Sequence, residues 1–195
     1  MQGRIEGEKR DYITGINAAK REGREEGAKA TAIANAKNLL SLNKLSADEI
    51  AQCCNLPLEQ VLALKACISG YYVYYISCHD LVESLIKAKE QNRLSRKLRW
   101  FSKPNILLVD EVGYEPLNAE ETHVLFQLIN IRYETGSLIM TSNKTFGRWT
   151  EFMNNDDAVA TASLDRLLHH CHIVSLQADS YRMKDRMKVG VVGFD

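Results

Sequence analysis

The chain has 195 residues, of which 45% are hydrophobic, enough for one medium-sized domain with a real core and an appendage. Basic and acidic residues number 25 each, so the net charge of zero does not by itself demand nucleic acid or an anionic membrane as a partner. The five cysteines form no Cys-x-x-Cys pair and residues 1–6 hold no apolar signal core, which favours a reducing cytoplasm. The longest apolar stretch, at residues 71–76, is too short to cross a bilayer, so we expect no membrane association.

The first predicted unit, residues 1–43, is a charged helical segment. From residue 16 to residue 42, charges of alternating sign give way to a run of small side chains. Ile33, Ala36 and Leu40 recur at helical spacing and form a narrow apolar stripe. This pattern favours a solvated helix, and a coiled-coil contact with another chain is the alternative.

The second predicted unit, residues 44–66, has the outline of a helix-turn-helix. Ser46 and Glu49 stand in capping-box register, which predicts the start of one helix. Asn55 suits a left-handed turn, and Pro57 suits the start of the next helix. The second helix carries a single basic residue, so packing or oligomerisation is favoured over reading of a DNA groove.

Residues 1–66 also resemble the C-terminal tail of the Rpn-like family of PD-(D/E)XK transposase-nucleases. Tails of that family have a charged helix rich in glutamate and glycine, followed by a Leu-Ser-x-Glu-Glu-Ile-Ala motif. Residues 45–51 are similar to this motif, and residues 58–61 are similar to the segment that follows it. The nuclease core that would precede the tail is absent from the sequence, so the resemblance implies no cleavage activity.

The third predicted unit, residues 67–195, alternates strands with helices. Strands are predicted at residues 71–77, 106–109, 137–142 and 173–176. Helices are predicted at residues 79–97, from Asn118 to Gly136, and at residues 158–170. This alternation predicts parallel βαβ units and therefore an α/β sandwich behind a helical N-terminal segment.

The most informative segment is the apolar strand at residues 106–109, which the carboxylates of Asp110 and Glu111 follow directly. Four consecutive aliphatic residues are typical of a strand that is buried on both faces of a parallel sheet. Such sheets bind ligands at the carboxyl ends of their strands. In nucleotide hydrolases one acid at this place holds Mg²⁺ or its water shell, and the next polarises the attacking water.

Further polar residues follow the other strands of this unit. Asn143 comes after the strand at residues 137–142, and its amide could orient a water or contact a phosphate. Arg166 and Arg182 could stabilise the charge that develops during phosphoryl transfer. Nucleotide chemistry is therefore the first hypothesis, although the sequence contains no G-x-x-x-x-G-K-[ST] phosphate loop.

Residues 64–184 look like the C-terminal two-thirds of IstB-like transposition helpers, which are ATP-binding proteins of the AAA+ class related to bacterial helicase loaders. The similar motifs stand in order at residues 64–67, 70–71, 79–82, 107–117, 141–144, 164–170 and 180–182. The resemblance implies that Asp110 and Glu111 are the Walker B pair, with Mg²⁺ held at Asp110 through the nucleotide. It also implies that Asn143 is the sensor residue. Arg166 would reach the nucleotide of a neighbouring subunit, and Arg182 would be a second sensor.

The resemblance implies ATP and Mg²⁺ as cofactors, DNA and a transposase as partners, and a homo-oligomer that assists DNA transposition. In that family the phosphate loop lies where residues 55–61 stand here, so we expect an incomplete P-loop NTPase fold in a fused, N-terminally truncated product. Three lost charge-assisted hydrogen bonds, each worth roughly 1.5–3 kcal/mol, would weaken ATP binding on the order of 10³- to 10⁶-fold. We therefore expect weak ATP binding.

A basic stretch at residues 87–103 supports an alternative function. Its charged members are Lys87, Lys89, Arg93, Arg96, Lys97, Arg99 and Lys103, with Trp100 and Phe101 beside them. A solvated helix face is one explanation, and contact with the DNA backbone is the other. The alternative function is a non-catalytic protein that binds DNA or a partner helix.

Overall fold

The computed structural model describes residue 24, residues 26–133 and residues 135–175. Three helices come first: α1 at residues 26–42, α2 at Ala47–Cys54 and α3 at Leu58–Ile68. The strands are β1 at Val73–Ser77, β2 at Ile106–Val112 and β3 at Ser137–Ser142. The remaining helices are α4 at Cys78–Glu90, α5 at Leu94–Phe101, α6 at Ala119–Arg132, α7 at Trp149–Phe152 and α8 at Asp157–Leu168. A short 3₁₀ turn at Phe146–Arg148 precedes α7.

Local capping interactions begin and end α2 as the sequence predicts. The N–H of Glu49 donates to Ser46 Oγ at 3.2 Å, and the N–H of Ser46 donates to Glu49 Oε2 at 2.7 Å. Asn55 ends the helix in the left-handed conformation, with φ of 54°. Both predictions for this turn are confirmed, and the helix pair folds back on itself.

The three N-terminal helices share a small core of their own. Ala36, Ile50 and Val61, one from each helix, are completely buried, and Ile33 and Leu40 pack beside them. The apolar stripe of α1 is thus covered by α2 and α3. The turn at residues 55–57 brings apolar side chains back onto this stripe, while most other residues of α1 are exposed as a solvated helix would be, and contact with another chain stays a prediction.

The three strands form one parallel sheet in the order β1-β2-β3. Leu107, Leu108 and Val109 of the central strand are completely buried, as the run of aliphatic residues predicts. Leu107 and Val109 face the main core, where α4, α6 and α8 pack. Leu108 points to the opposite face, and α3 contacts β1 and β2 there. The predicted α/β architecture is confirmed.

Two predicted elements differ from the structure near their ends. The segment predicted as one helix at residues 79–97 forms two helices. Asn92 has a left-handed backbone with φ of 54°, and the N–H of Arg93 donates to the carbonyl of Ala88, which ends α4. The helix predicted to reach Gly136 ends at Arg132.

The last predicted strand is also not observed. Residues 173–175 form no strand, and Leu176 lies outside the described residues. Ile173 and Val174 are 64% and 60% exposed, and no strand of the described chain lies beside them to supply a hydrogen-bonding partner. Apolar side chains alone therefore do not make this segment a strand, because a strand also needs a neighbouring strand for its backbone hydrogen bonds.

Helix α3 crosses the predicted boundary between residues 66 and 67, and it packs on both α2 and the sheet. The division into three units stays a prediction.

Within the described residues, no helix combines the length and the apolar character that crossing a membrane would require.

Candidate functional site at the strand ends

Asp110 lies near the end of β2 and is held by residues of both neighbouring strands. The hydroxyl of Tyr75, on β1, donates to Asp110 Oδ2 at 2.8 Å. The hydroxyl of Thr141, on β3, donates to Oδ1, and the N–H of Glu111 donates to the same oxygen at 3.0 Å. The carboxylate therefore joins all three strands at their carboxyl ends and has a fixed position.

The hydroxyl of Tyr75 is kept protonated by this contact. Its hydrogen bond to Asp110 is the main cause that raises the pKa of Tyr75 to about 12, and burial adds to it. The negative charges of Asp110, Glu111 and Glu59 act in the same direction. Tyr75 is consequently a hydrogen-bond donor to Asp110 throughout the neutral range of pH.

Tyr75 and Thr141 were not predicted as site residues. Tyr75 is paired in the sheet with Leu108, two residues before Asp110, so both polar groups point to the same face of the sheet. Thr141 is near the end of the adjacent strand. The parallel order of the strands was predictable, but the register that brings these hydroxyls to Asp110 was not.

Glu111 leaves the sheet in a different direction from Asp110. It has a left-handed backbone with φ of 60°, at the irregularity between Val109 and Val112 where the pairing with β3 shifts. Its side chain lines a cavity of about 290 Å³ together with His79 and Glu115, whereas Asp110 is not part of that lining. Of the two adjacent acids, only Glu111 belongs to the lining of this cavity, although the charges of both act on Tyr75.

Hydrogen bonds of Ser142 join the ends of β2 and β3, just after Asp110 and Glu111 in the chain. The hydroxyl of Ser142 donates to the carbonyl of Val112 at 2.7 Å, and the N–H of Lys144 donates to Ser142 Oγ at 3.1 Å. Gly113 has φ of 86°, and a Cβ there would lie 2.7 Å from Lys144 Cγ. Residue 113 must therefore be glycine for both its backbone conformation and the close approach of Lys144.

No hydrogen bond of the described residues joins Asn143 or Arg166 to Asp110. Asn143 follows β3 and is exposed, and within the described chain no hydrogen bond joins it to Asp110 or Glu111. Arg166 lies on α8, where its Nε donates to Asn130 Oδ1 at 2.9 Å. Arg182 lies outside the described residues. The roles of these residues stay predictions.

An additional acid, Glu59, lies on α3, and the charge of Asp110 acts on it. It stands in the first turn of that helix, which contacts β1 and β2, and it is half-buried. Burial is the main cause that raises the pKa of Glu59, and the charge of Asp110 raises it further. Its own backbone N–H acts in the opposite direction. Glu59 was not predicted as a site residue, because its neighbours in the sequence do not specify which strands the start of α3 will contact.

A nucleotide site must hold both a metal ion and phosphate groups, and the groups around Asp110 suit the metal ion better. Asp110 offers the carboxylate oxygen that Mg²⁺ prefers. A triphosphate needs N–H donors and positive charge, whereas the charges that act on Tyr75 and Glu59 are all negative. Asp110 therefore suits a metal ion, and the charges that act on its neighbours Tyr75 and Glu59 are carboxylates.

The family described as "IstB-like ATP binding protein" matches residues 56–189, which is more than half of the chain. The chain belongs to this family. The resemblance of its α/β part to IstB-like proteins is thereby confirmed. The resemblance of residues 1–66 to the tails of Rpn-like nucleases stays a prediction.

Individual relatives of this IstB-like chain come from bacterial insertion sequences. It is 46% identical over 125 residues to the ATP-binding protein assigned to insertion sequence IS5376 of Geobacillus stearothermophilus, covering 64% of this chain and 49% of that protein. It is 45% identical over 131 residues to the one assigned to IS21 of Pseudomonas aeruginosa, covering 67% of this chain and 49% of that protein. The chain thus spans about half the length of the curated relatives it matches.

The AMPPCP-bound structure of DnaA from Aquifex aeolicus is similar in fold. The TM-score is 0.51 at 16% sequence identity, and the match covers 71% of this chain and 42% of that one. At this level of identity the similarity concerns the fold alone. It agrees with the predicted α/β fold of the IstB-like chain.

Proposed function

We propose that the chain is an IstB-like helper of DNA transposition that binds Mg·ATP weakly beside Asp110. The observation that carries this proposal is the position of Asp110 at the carboxyl end of the central strand, fixed by Tyr75 and Thr141, in a chain that matches an ATP-binding family. Relatives named as ATP-binding proteins of insertion sequences support the link to transposition.

Each predicted site residue has a proposed role in this function. Asp110 would hold Mg²⁺, Glu111 would polarise the attacking water, and Asn143 would contact the nucleotide. Arg166 would serve the site of a neighbouring subunit, which agrees with its contact to Asn130 and not to Asp110. Arg182 would be a second contact to the nucleotide.

Weak binding follows from the groups that surround Asp110. The sequence holds no phosphate loop, and the charge of Asp110 acts on the acidic Glu59 of α3. Without the N–H donors of such a loop, the attraction of the site for a triphosphate depends mostly on Mg²⁺. We therefore expect the dissociation constant of Mg·ATP to lie in the millimolar range.

A thermal-shift titration of the whole chain tests this proposal. Ligand at tenfold the dissociation constant stabilises the native state by about 1.4 kcal/mol, so Mg·ATP at roughly 10 mM or above should raise the melting temperature. The rise should vanish with excess chelator and in the variant Asp110→Asn, which keeps an acceptor for Tyr75. Saturation at micromolar ATP would contradict weak binding, and no response at any concentration would contradict nucleotide binding.

A second candidate function, DNA binding without catalysis, is favoured by the surface of α5. This helix buries Leu98 and Phe101 and exposes Arg93, Arg96 and Arg99. None of the ion pairs found among the described residues involves these arginines, whereas Lys87 and Lys89 of α4 pair with Glu83 and Glu120. Trp100 is 36% exposed beside them and offers a surface on which a base could stack.

Fluorescence anisotropy with labelled DNA separates the two functions. If α5 contacts phosphates, the variant Arg96→Ala should weaken binding and reduce the slope of log affinity against log salt by about 1. The matched control Lys87→Ala removes a charge that Glu83 already pairs, so it should leave the slope nearly unchanged. DNA binding that ignores Mg·ATP would favour the non-catalytic function.

We also propose a homo-oligomer, a transposase as partner and a cytoplasmic location. Relatives named for insertion sequences support a transposase as partner, and the homo-oligomer is proposed from the family resemblance alone. Light scattering of the whole chain with and without Mg·ATP and DNA would test the homo-oligomer, and a single monomeric mass under all conditions would contradict it.

A further inference from the structure

The cavity that Glu111 lines has an apolar floor. It measures about 290 Å³ and lies between the start of α4 and the turn that follows β2. Cys78, Val82 and Phe152 form the floor, and each of them is at most 5% exposed. Sites for small organic molecules measure roughly 300–1,000 Å³, so this cavity has room for one long side chain or a ligand of similar size.

The rim of this cavity is acidic. Four glutamates belong to the lining, namely Glu83, Glu111, Glu115 and Glu121, whereas none of the described residues that line it is a lysine or an arginine. Three of these acids are exposed, and Glu121 is half-buried. Charges of one sign around an apolar floor concentrate the electrostatic potential in the opening. The cavity should therefore attract cations and repel phosphate groups.

Local structure explains only two of these acids. Glu83 pairs with a lysine one turn further along α4 at 2.7 Å, and Glu121 completes the capping box at the start of α6. Glu111 and Glu115 lie at the end of β2 and in the turn after it. No lysine or arginine of the described chain pairs with either of them, and Glu115 lies 3.4 Å from the ring of His79. Both carboxylates are thus available to a cationic ligand.

One lysine lies close to this turn but acts on another acid. The stem of Lys144 approaches Gly113 so closely that a Cβ at residue 113 would lie 2.7 Å from Lys144 Cγ. The charge of Lys144 acts on Glu151, whose pKa is lowered mainly by Arg148 and further by this lysine. Lys144 is also not part of the cavity lining. It therefore does not take the place of a ligand there.

Backbone contacts position the opening before any ligand binds. Glu111 and Gly113 both have left-handed backbones, with φ of 60° and 86°, and the N–H of Tyr114 donates to the carbonyl of Glu111 at 3.3 Å. The N–H of Leu117 then donates to the carbonyl of Phe152 at 2.8 Å, which joins the turn to the floor of the cavity. Little ordering is therefore needed when a ligand enters.

We propose that this cavity binds the side chain of an arginine that a partner protein presents. The methylene stem would lie on the apolar floor, and the guanidinium would contact Glu111 and Glu115 at the opening. Tyr114 is 70% exposed at the same opening and offers a ring face to the guanidinium. Arginine suits this site better than lysine, because its planar group pairs with carboxylates in two-point contacts and is less strongly hydrated.

The charges of the rim favour an arginine within a polypeptide over the free amino acid. Free arginine carries an α-carboxylate, which the four glutamates would repel, whereas an arginine inside a peptide has none. The volume admits a single side chain and leaves the backbone of the partner at the opening. This inference does not depend on Mg·ATP binding, because Asp110 is not part of the lining.

Titration of the whole chain with two blocked tripeptides tests the proposal. The probes are acetyl-Gly-Arg-Gly-amide and acetyl-Gly-citrulline-Gly-amide, and amide NMR shifts report binding. Citrulline has the shape of arginine without its charge, so its peptide should bind at least about fivefold more weakly. The arginine peptide should give saturable shifts at residues 78–83 and 111–117, and added salt should weaken its binding.

Variants at the rim make the test specific to this cavity. Glu115→Gln and Tyr114→Ala should each weaken binding of the arginine peptide by about two- to fivefold. Both side chains are at least 70% exposed, so these changes leave the core intact. The matched control is Glu90→Gln, which removes an exposed acid from the other end of α4, outside the lining, and should leave the affinity unchanged.

The possible outcomes separate this inference from the proposed function. Equal affinity for the two peptides, or binding that neither Glu115→Gln nor Tyr114→Ala weakens, overturns the inference. Binding of agmatine without binding of the arginine peptide would assign the cavity to a small organic cation and overturn the protein partner. Arginine-specific binding that depends on both residues supports the inference, even if the chain gives no response to Mg·ATP and the nucleotide function fails.

Discussion

At the scale of single residues, the contacts of Asp110 depend on hydroxyl groups more than on charge pairs. Its two oxygens accept hydrogen bonds from Tyr75, Thr141 and the backbone of Glu111. A carboxylate held by neutral donors keeps its negative charge available to a metal ion. The contacts with strands β1 and β3 keep that charge in one position, which a metal site requires.

The hydrogen bond from Tyr75 to Asp110 should contribute measurably to stability. The variant Tyr75→Phe should lower the free energy of unfolding by about 1 kcal/mol, because the bond has a charged acceptor but the tyrosine is 53% exposed. Urea unfolding measures this change. Tyr72 is similarly exposed at 52%, and Tyr72→Phe is the control that should change stability by less than about 0.5 kcal/mol.

Glu59 should make stability depend on pH in the acidic to neutral range. Its pKa in the folded chain is raised from the ordinary value of 4.5, so the native state binds the proton more tightly than the unfolded state. The stability that protonated Glu59 contributes is complete below pH 4.5 and is lost as pH rises through the raised value. Glu59→Gln should therefore raise the melting temperature at neutral pH and leave it nearly unchanged near pH 4.

Thermal melts of both chains across this range check the prediction. A stabilisation by Glu59→Gln that is equally large at both ends of the pH range would contradict it. A destabilisation at neutral pH would show that Glu59 has a positive neighbour that the structure does not place there.

At the scale of elements, Arg132 connects the end of α6 to three other segments by hydrogen bonds. It is only 2% exposed, and its guanidinium donates to the carbonyls of Phe101, Pro104, Asn105 and Ser137. These carbonyls belong to the end of α5, the loop before β2 and the start of β3. The burial that this requires lowers the pKa of Arg132, and the hydrogen bonds offset the cost of burying the charge.

Arg132→Met should destabilise the chain by about 2–4 kcal/mol, because it leaves several buried carbonyls without a donor. Arg99→Met removes an exposed arginine of α5 and should change stability by less than about 0.5 kcal/mol. Urea unfolding of the two variants provides the comparison. Similar stabilities of both would show that water replaces the guanidinium.

Gly136 lies against the guanidinium of Arg132, so a substitution there should disturb the same contact. A Cβ at this position would lie 2.6 Å from Arg132 Nη2, so Gly136→Ala should also destabilise the chain by roughly 1–3 kcal/mol. Because both changes act on one contact, the double variant with Arg132→Met should lose less than the sum of the two single variants. Additive losses in a double-mutant cycle would refute this coupling.

At the scale of the whole molecule, two separate cores meet at α3. One core lies among α1, α2 and α3, and the other lies between the sheet and the helices α4, α6 and α8. Helix α3 places Val61 in the first core and packs against β1 and β2. A change in one core should therefore affect the other only through this helix.

Hydrogen exchange should report these two cores separately. Ile50→Ala removes a completely buried side chain from the N-terminal core and should cost about 2–5 kcal/mol, with faster exchange confined to α1, α2 and α3. Leu107→Ala in the central strand should accelerate exchange across the sheet and the helices that cover it. Equal loss of protection throughout the chain in both variants would show a single cooperative unit.

The sequence alone determined the features that depend on neighbouring residues. The capping boxes of Ser46 with Glu49 and of Asn118 with Glu121, and the buried central strand before Asp110, were all predictable, because each rests on residues a few positions apart. The ordered motifs also pointed to the IstB-like family. The alternation of strands with helices was enough to predict the parallel sheet.

Only the tertiary structure decided how the candidate site is built. The hydrogen bonds from Tyr75 and Thr141 to Asp110, and the effect of the Asp110 charge on Glu59, depend on strand register and on which helix covers which face. The residues that meet there lie on separate elements, some 30 or more positions apart along the chain. Contacts over such distances arise from the packing of strands and helices, which a local pattern of residues does not specify.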